Sequence, residues 1–225
     1  MDRKNVVIIG NGMVGNKICE KLKQKSNNLD ITVFAEESIR AYDRVHLTDY
    51  FKVSSINELF LLKNEWYIEN NVKIHLDDPV IAINLLKKEV KSLKGITLNY
   101  DYLVFATGSA PFVPPIPGIE KEGVFLYRTI EDLELIKAYA AKVKTGTVMG
   151  GGLLGLEAAK ALLDLGLKET AVIEFAPRLM PRQIDDSASV LLQHKLAELG
   201  LRCLLQKSTS QLLGDDRLTG EIGRA

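Results

Sequence analysis

The chain has 225 residues, 46% apolar and 26% charged, enough for one large domain or two small ones with cores of their own. Lysine plus arginine and aspartate plus glutamate both number 29, so the formal net charge is zero and gives no electrostatic reason to expect a nucleic acid or a membrane as partner. The two cysteines, Cys19 and Cys203, form no CxxC pair, which leaves no local sign of a redox dithiol and too few thiolates for a zinc site or an iron–sulfur cluster.

Arg3 and Lys4 ahead of Val6 to Ile9 mimic a secretory signal, but the apolar run is too short and is broken by Gly10, Asn11 and Gly12. No stretch approaches the ~18 apolar residues of a membrane span, so a cytoplasmic location is expected by default. Residues 5–10 read as a strand buried on both faces. The helix after Gly12 carries Val14, Ile18 and Leu22 on one face and ends at Ser26-Asn27-Asn28. With a second strand at 31–34 this makes a β-α-β unit, hence parallel strands and a right-handed crossover. Residues 37–52, with Arg40, Tyr42, Asp43, Arg44 and His46, lack periodicity and read as a loop.

Residues 54–70 read as one helix capped by Ser54 or Ser55 with Glu58, its Trp66 and Tyr67 facing the core. A short strand follows at 72–76, with His75 on its surface, then a hairpin or meander over 80–98 whose Lys87, Lys88 and Lys91 face solvent. Residues 102–106 form another buried strand that ends in Thr107-Gly108. Pro111 to Gly118 holds four of the seven prolines and reads as a stiff connection, which places a domain boundary between 1–110 and 111–225.

Beyond the boundary, Thr129 with Asp132 caps a helix to about residue 142. A second β-α-β unit repeats the first: strand 147–150, helix 152–165, strand 171–174. An amphipathic helix at 187–199, closed by Gly200, leads to a strand at 201–205. Gly214-Asp215-Asp216 reads as a turn with no strand to return, so the second sheet is expected to be incomplete and to leave an apolar edge that favours a homodimer or aggregation. The fold class is α/β, with two Rossmann-like dinucleotide-binding domains.

The chemistry sits in two loops about 140 residues apart, Gly10-Asn11-Gly12-Met13-Val14-Gly15 and Gly150-Gly151-Gly152-Leu153-Leu154-Gly155. Each follows an apolar strand and opens a helix. In each, the first glycine (Gly10, Gly150) permits a tight turn. The second (Gly12, Gly152) lets the backbone approach a pyrophosphate, and the third (Gly15, Gly155) lets helix and strand pack closely. The helix N-terminus then offers N–H groups and partial positive charge to phosphates. Glu36, with Glu37 as a neighbouring alternative, and Glu174 are placed to accept ribose hydroxyls. A carboxylate at 174 repels a 2′-phosphate and favours NADH over NADPH, although Arg178 nearby offers that phosphate a partner. Either loop alone could be a simple glycine-rich turn; their matched context and duplication point to two dinucleotides that exchange electrons. His46, His75 and His194 are too scattered for a metal site.

These motifs resemble the FAD-dependent pyridine nucleotide oxidoreductases: GxGxxG, then Ala106-Thr107-Gly108-Ser109 after a strand, then the proline-rich linker, then GGGxxG. The stretches Ala41-Tyr42-Asp43-Arg44-Val45-His46-Leu47 and Val172-Ile173-Glu174-Phe175-Ala176-Pro177 look like the large-subunit branch of NAD(P)H nitrite reductases. The resemblance implies FAD in the first site, with Arg44, Thr107 and Gly108 beside it, and NAD(P)H in the second, with Glu157 near the nicotinamide. It further implies an electron-acceptor protein or domain that carries siroheme and iron–sulfur groups. The family's second FAD segment is missing, so a truncated electron-input module is expected; a non-enzymatic nucleotide-binding remnant and a ferredoxin or rubredoxin reductase are the alternatives.

Overall fold

A computed structural model describes residues 3–224. It divides into two compact units. One holds the chain up to Asp49 with Val53–Ala110; the other holds Tyr50–Lys52 with the chain from Pro111 onward.

The first unit is built on β1 (Lys4–Ile9), in which Val6 to Ile9 are all buried. Alternate side chains of a strand point to opposite faces. Val6 and Ile8 pack, with Ile31 and Val33 of β2 (Leu29–Phe34), against Ile18, Cys19 and Leu22 of α1 (Met13–Lys25). Val7, Ile9 and Phe34 face the other way. They are covered by an antiparallel meander that follows β3 (Val72–His75): β4 (Val80–Asn84), β5 (Glu89–Ser92) and β6 (Thr97–Asn99). With β7 (Tyr102–Phe105) the sheet is parallel throughout, in the order β3-β2-β1-β7. The result is a helix–sheet–meander sandwich with core on both sides of β1.

Two expectations for this unit are corrected. The helix expected over 54–70 is two short pieces. Ser55 and Glu58 do form a capping box, but over a single 3-10 turn, Ile56–Leu59. Phe60 is then extended and bridges to Tyr42, while Leu61 N–H donates to the carbonyl of Ala41 at 3.0 Å; the helix restarts only as α2 (Asn64–Glu69). A tertiary pairing with the preceding loop thus overrides local helix propensity. That loop also contains a 3-10 turn of its own, Leu47–Phe51. His75 is not a surface residue: it is half-buried, its ring stacked on Phe34 with centroids 4.9 Å apart.

In the second unit α3 (Ile130–Ala140) starts with the expected Thr129–Asp132 capping box. The β-α-β unit follows as β8 (Thr145–Met149), α4 (Leu153–Asp164) and β9 (Glu169–Glu174). Helix α5 (Asp186–Glu198), capped by the Asp185 side chain, leads to β10 (Leu201–Leu205). The three strands are parallel in the order β10-β9-β8 around a core of Leu156, Ala159, Val172, Leu179 and Leu201. The chain does return after Gly214–Asp216: β11 (Ser208–Leu213) pairs antiparallel with β12 (Gly220–Arg224). The sequence Gly-Glu-Ile-Gly-Arg has little strand propensity of its own. Its pairing is fixed by the turn, in which Gly214 adopts φ +117° and Thr219 N–H donates to the carbonyl of Leu213 at 2.9 Å. Among the described residues, no helix is long and apolar enough to cross a membrane.

Candidate functional site: two matched glycine loops

The first strand of each β-α-β unit, β1 and β8, ends in one and the same construction. Gly10 N–H donates to the carbonyl of Phe34, and Gly150 N–H to that of Ile173, both at 2.8 Å. Their φ angles are +106° and +110°, a conformation that favours glycine. At Gly10 sterics agree, because a Cβ there would lie 2.2 Å from the carbonyl oxygen of Ala106. Thr107 and Gly108, both exposed, follow directly and so line the same loop. Gly15 and Gly155 are demanded by packing: a Cβ would stand 2.1 Å and 2.0 Å from the carbonyl oxygens of Gly10 and Gly150.

Gly12 and Gly152 are different. Their backbones are ordinary extended ones, with φ −80° and −79°, and a Cβ at either would meet nothing within 4 Å. Neither conformation nor internal packing asks for glycine. Glycine at either place leaves the main chain open to the close approach of a ligand. Both residues are N-caps without a side-chain cap, and neither α1 nor α4 has an acidic residue in its first turn. The first-turn N–H groups and the positive end of each helix are thus open to an anion, and the pair of loops fits two pyrophosphates. In the first loop, Nδ2 and Oδ1 of Asn11 are also buried without a hydrogen-bond partner among the described residues.

The acids beyond the loops do not occupy equivalent places. Strand register sets Ile9 against Phe34 and Met149 against Ile173. Counted from there, Glu174 matches Ala35, and Glu36 matches Phe175. Glu174 is part of its loop: Oε2 accepts from Gly151 N–H at 2.6 Å and Oε1 from Ala176 N–H at 2.7 Å. Each carboxylate oxygen keeps a further lone pair for a ribose hydroxyl. Glu36 is exposed and makes no hydrogen bond or ion pair among the described residues. Its neighbour Glu37 is occupied, since it accepts from Tyr42 Oη at 2.7 Å and pairs with Arg44. The Arg44 guanidinium also lies over the Tyr42 ring, 5.2 Å from its centroid. Arg44 is therefore held one residue from Glu36 by an internal ion pair.

Glu157 lies one helical turn beyond Leu153 on α4, half-buried, and its carboxylate has no hydrogen bond or ion pair among the described residues. Arg178 is not free: Nη1 pairs with Asp186 at 2.9 Å and Nη2 donates to the carbonyl of Pro181 at 3.1 Å.

One feature of the second loop has no sequence signature. Met180 N–H donates to the carbonyl of Gly151 at 2.9 Å, so the segment from Glu174 to Met180 is pinned to Gly151 at both ends. A Cβ on Gly151 would come within 2.8 Å of Leu179 Cδ2, so this middle glycine serves the strap and not the ligand. Among the described residues, no group of three or more His, Cys, Asp or Glu could hold a metal ion. Cys19 is buried and its thiol is pushed up to about 12 by burial, which leaves it unreactive near neutrality.

A parallel sheet with an uncapped, glycine-bearing strand–helix turn at its carboxyl end defines a dinucleotide-binding domain, and this chain holds two such turns. Residues 4–224 match the model of the pyridine nucleotide-disulphide oxidoreductase family, and the chain belongs to that family. It is 46% identical over 215 residues to the large subunit of the NADH nitrite reductase of Escherichia coli K12, which covers 95% of this chain and 25% of that protein. A nitrite reductase [NAD(P)H] of Bacillus subtilis is 40% identical over 222 residues, with coverage of 98% and 28%. The chain thus spans about a quarter of the length of these curated relatives. Among solved structures, an NAD-dependent persulfide reductase from A. fulgidus superposes with a TM-score of 0.90 at 30% identity, covering 97% of this chain and 43% of that one.

Proposed function

We propose that the chain is an FAD-dependent NAD(P)H oxidoreductase module, the electron-input part of a larger reductase of the nitrite reductase type. In this reading residues 1–110 are the FAD domain and 111–225 the NAD(P)H domain. The first loop would hold FAD, which would supply hydride acceptance from NADH and electron delivery to an acceptor protein or domain that carries siroheme and iron–sulfur groups.

The chain's own residues bind and orient. Gly10, Gly12 and Gly15 set the first pyrophosphate on the N-terminus of α1, with Thr107 and Gly108 beside it and Glu36 at the ribose. Arg44, steadied by Glu37, supplies positive charge to the FAD phosphates on the side of Glu36. Gly150, Gly152 and Gly155 do the same for NADH on α4, with Glu174 at the ribose and Glu157 facing the nicotinamide. Glu174 is held in place while Arg178 is engaged elsewhere, which favours NADH over NADPH. A cytoplasmic location and a homodimer belong to the same reading.

The observation that carries it is the pair of glycines, 12 and 152, that the fold itself does not require. The test is a visible absorption spectrum of the chain, reconstituted with FAD, before and after anaerobic NADH. A flavin band that bleaches supports the reading. No retained flavin, or a band that NADH leaves untouched, refutes it. Acceptor identity is read from turnover with a siroheme–iron–sulfur partner as against ferredoxin or rubredoxin.

A further inference from the structure

We infer that Phe175 is the platform on which the adenine ring of the pyridine dinucleotide stacks. The inference rests on the reading of Gly150 to Gly155 as the NAD(P)H loop. A dinucleotide whose pyrophosphate lies over Gly152 and whose adenosine ribose meets Glu174 must carry its base beyond that ribose, away from the phosphates. The next residue along the chain from Glu174 is Phe175, and 80% of it is exposed.

A single exposed apolar side chain needs no explanation by itself. Phe175 has two further properties. First, its backbone is held on both sides: Glu174 ends β9 with its carboxylate on Gly151 N–H, and Ala176 N–H donates to that same carboxylate at 2.7 Å. An aromatic ring on a fixed backbone gives stacking area at little entropic cost. Second, the matching register position in the first unit holds Glu36, a charged residue that offers no such face. The two loops are alike at the phosphates but set their ribose acids one residue apart, so only the second carries an aromatic face directly beyond its acid.

The test compares equilibrium binding of 5′-AMP, nicotinamide mononucleotide and NADH to the whole chain kept saturated with FAD, so that only the second site is open. Phe175→Ala is expected to weaken 5′-AMP and NADH about tenfold, the scale of one base–aromatic stack, and to leave nicotinamide mononucleotide unchanged. Phe175→Tyr, which keeps the ring, stays close to wild type, and Phe175→Leu, which keeps apolar area without a π face, falls between. Equal loss of all three ligands in Phe175→Ala would mean a disturbed site and would overturn the inference. So would unchanged 5′-AMP affinity in that variant while the wild type binds NADH, a result that leaves the NAD(P)H reading intact. A wild-type chain that binds neither NADH nor 5′-AMP overturns both.

Discussion

The main-chain N–H of Gly151 donates to Glu174 Oε2 at 2.6 Å, so the acid expected to select the ribose is also a strut of the phosphate loop. Binding and loop stability are coupled through this one side chain. Glu174→Ala leaves the N–H groups of Gly151 and Ala176 without their acceptor. Loss of charge-assisted bonds at a half-buried site costs about 1–3 kcal/mol, and urea denaturation of the cofactor-free chain should show that loss. Glu174→Gln, which keeps one acceptor oxygen and turns a donor toward the other N–H, should fall between. An unchanged midpoint for Glu174→Ala would mean that the loop holds its shape without the carboxylate.

Glycines of one motif should behave in opposite ways. Gly15→Ala and Gly155→Ala drive a Cβ into a carbonyl oxygen 2.1 Å or 2.0 Å away, and the helix must shift from the strand. Overpacking of that kind costs about 1–3 kcal/mol or more. Gly12→Ala and Gly152→Ala meet nothing within 4 Å, and an extended backbone suits alanine. Their folding stability should stay within about 1 kcal/mol of wild type, the weaker N-cap being offset by a less flexible unfolded chain. Cofactor affinity should nevertheless fall sharply, because the Cβ stands where a pyrophosphate must come close. Thermal unfolding without cofactor and FAD or NADH titration separate the two effects. A destabilised Gly12→Ala with normal FAD binding would contradict this division of labour.

Arg178 bears on the choice between NADH and NADPH. It is the cation nearest in sequence to Glu174 that could meet a 2′-phosphate, and it is engaged by Asp186 and by the carbonyl of Pro181. The Asp186 side chain is 83% exposed, so the ion pair is weak and screened. Asp186→Asn should narrow the preference for NADH by at most about fivefold, the equivalent of a surface pair worth up to ~1 kcal/mol. The check is the ratio of NADH to NADPH dissociation constants in both proteins. A preference that widens, or an inherent preference for NADPH in the wild type, would remove Arg178 and Glu174 from the account of specificity.

The sequence disclosed the two β-α-β units because their signals are local: β-branched runs, glycines at fixed offsets and 3.6-residue periodicity in the helices. Features made by distant partners stayed hidden. Phe60 leaves its helix to bridge Tyr42, and nothing between residues 54 and 70 announces that pairing. The strap of Glu174 to Met180 closes on Gly151 through main-chain groups, which every residue has. Glu36 and Glu174 look equivalent by spacing, yet register sets them one residue out of step, because α1 has 13 residues and α4 has 12 and their connections also differ. Glu37 was open as a ribose acid by position alone; its pairing with Arg44 and Tyr42 needed three dimensions to see.

Two buried groups, Cys19 of α1 and Tyr67 of α2, make the stability of the first unit sensitive to alkali. Burial pushes the Cys19 thiol up to about 12, and burial, reinforced by Cys19, pushes the Tyr67 phenol to about 12 as well. Unfolded, these groups titrate near ~8.5 and ~10. Folding therefore favours their protonated forms. The stability they contribute is fully present below about pH 8.5 and is lost as pH rises toward the folded-state values near 12. Unfolding free energy, followed by urea titration from pH 8 upward, should be level at first and then decline. Cys19→Ala should flatten the lower part of that decline. Tyr67→Phe should flatten the upper part but lower stability at every pH, because Asn16, only 3% exposed, loses the phenol oxygen that its Nδ2 contacts at 2.5 Å. A stranded buried amide costs about 1–3 kcal/mol. In the folded chain Cys19 should stay unreactive to a thiol reagent at pH 8 and become reactive in denaturant. An alkaline slope unaffected by Cys19→Ala would place the sensitive group elsewhere.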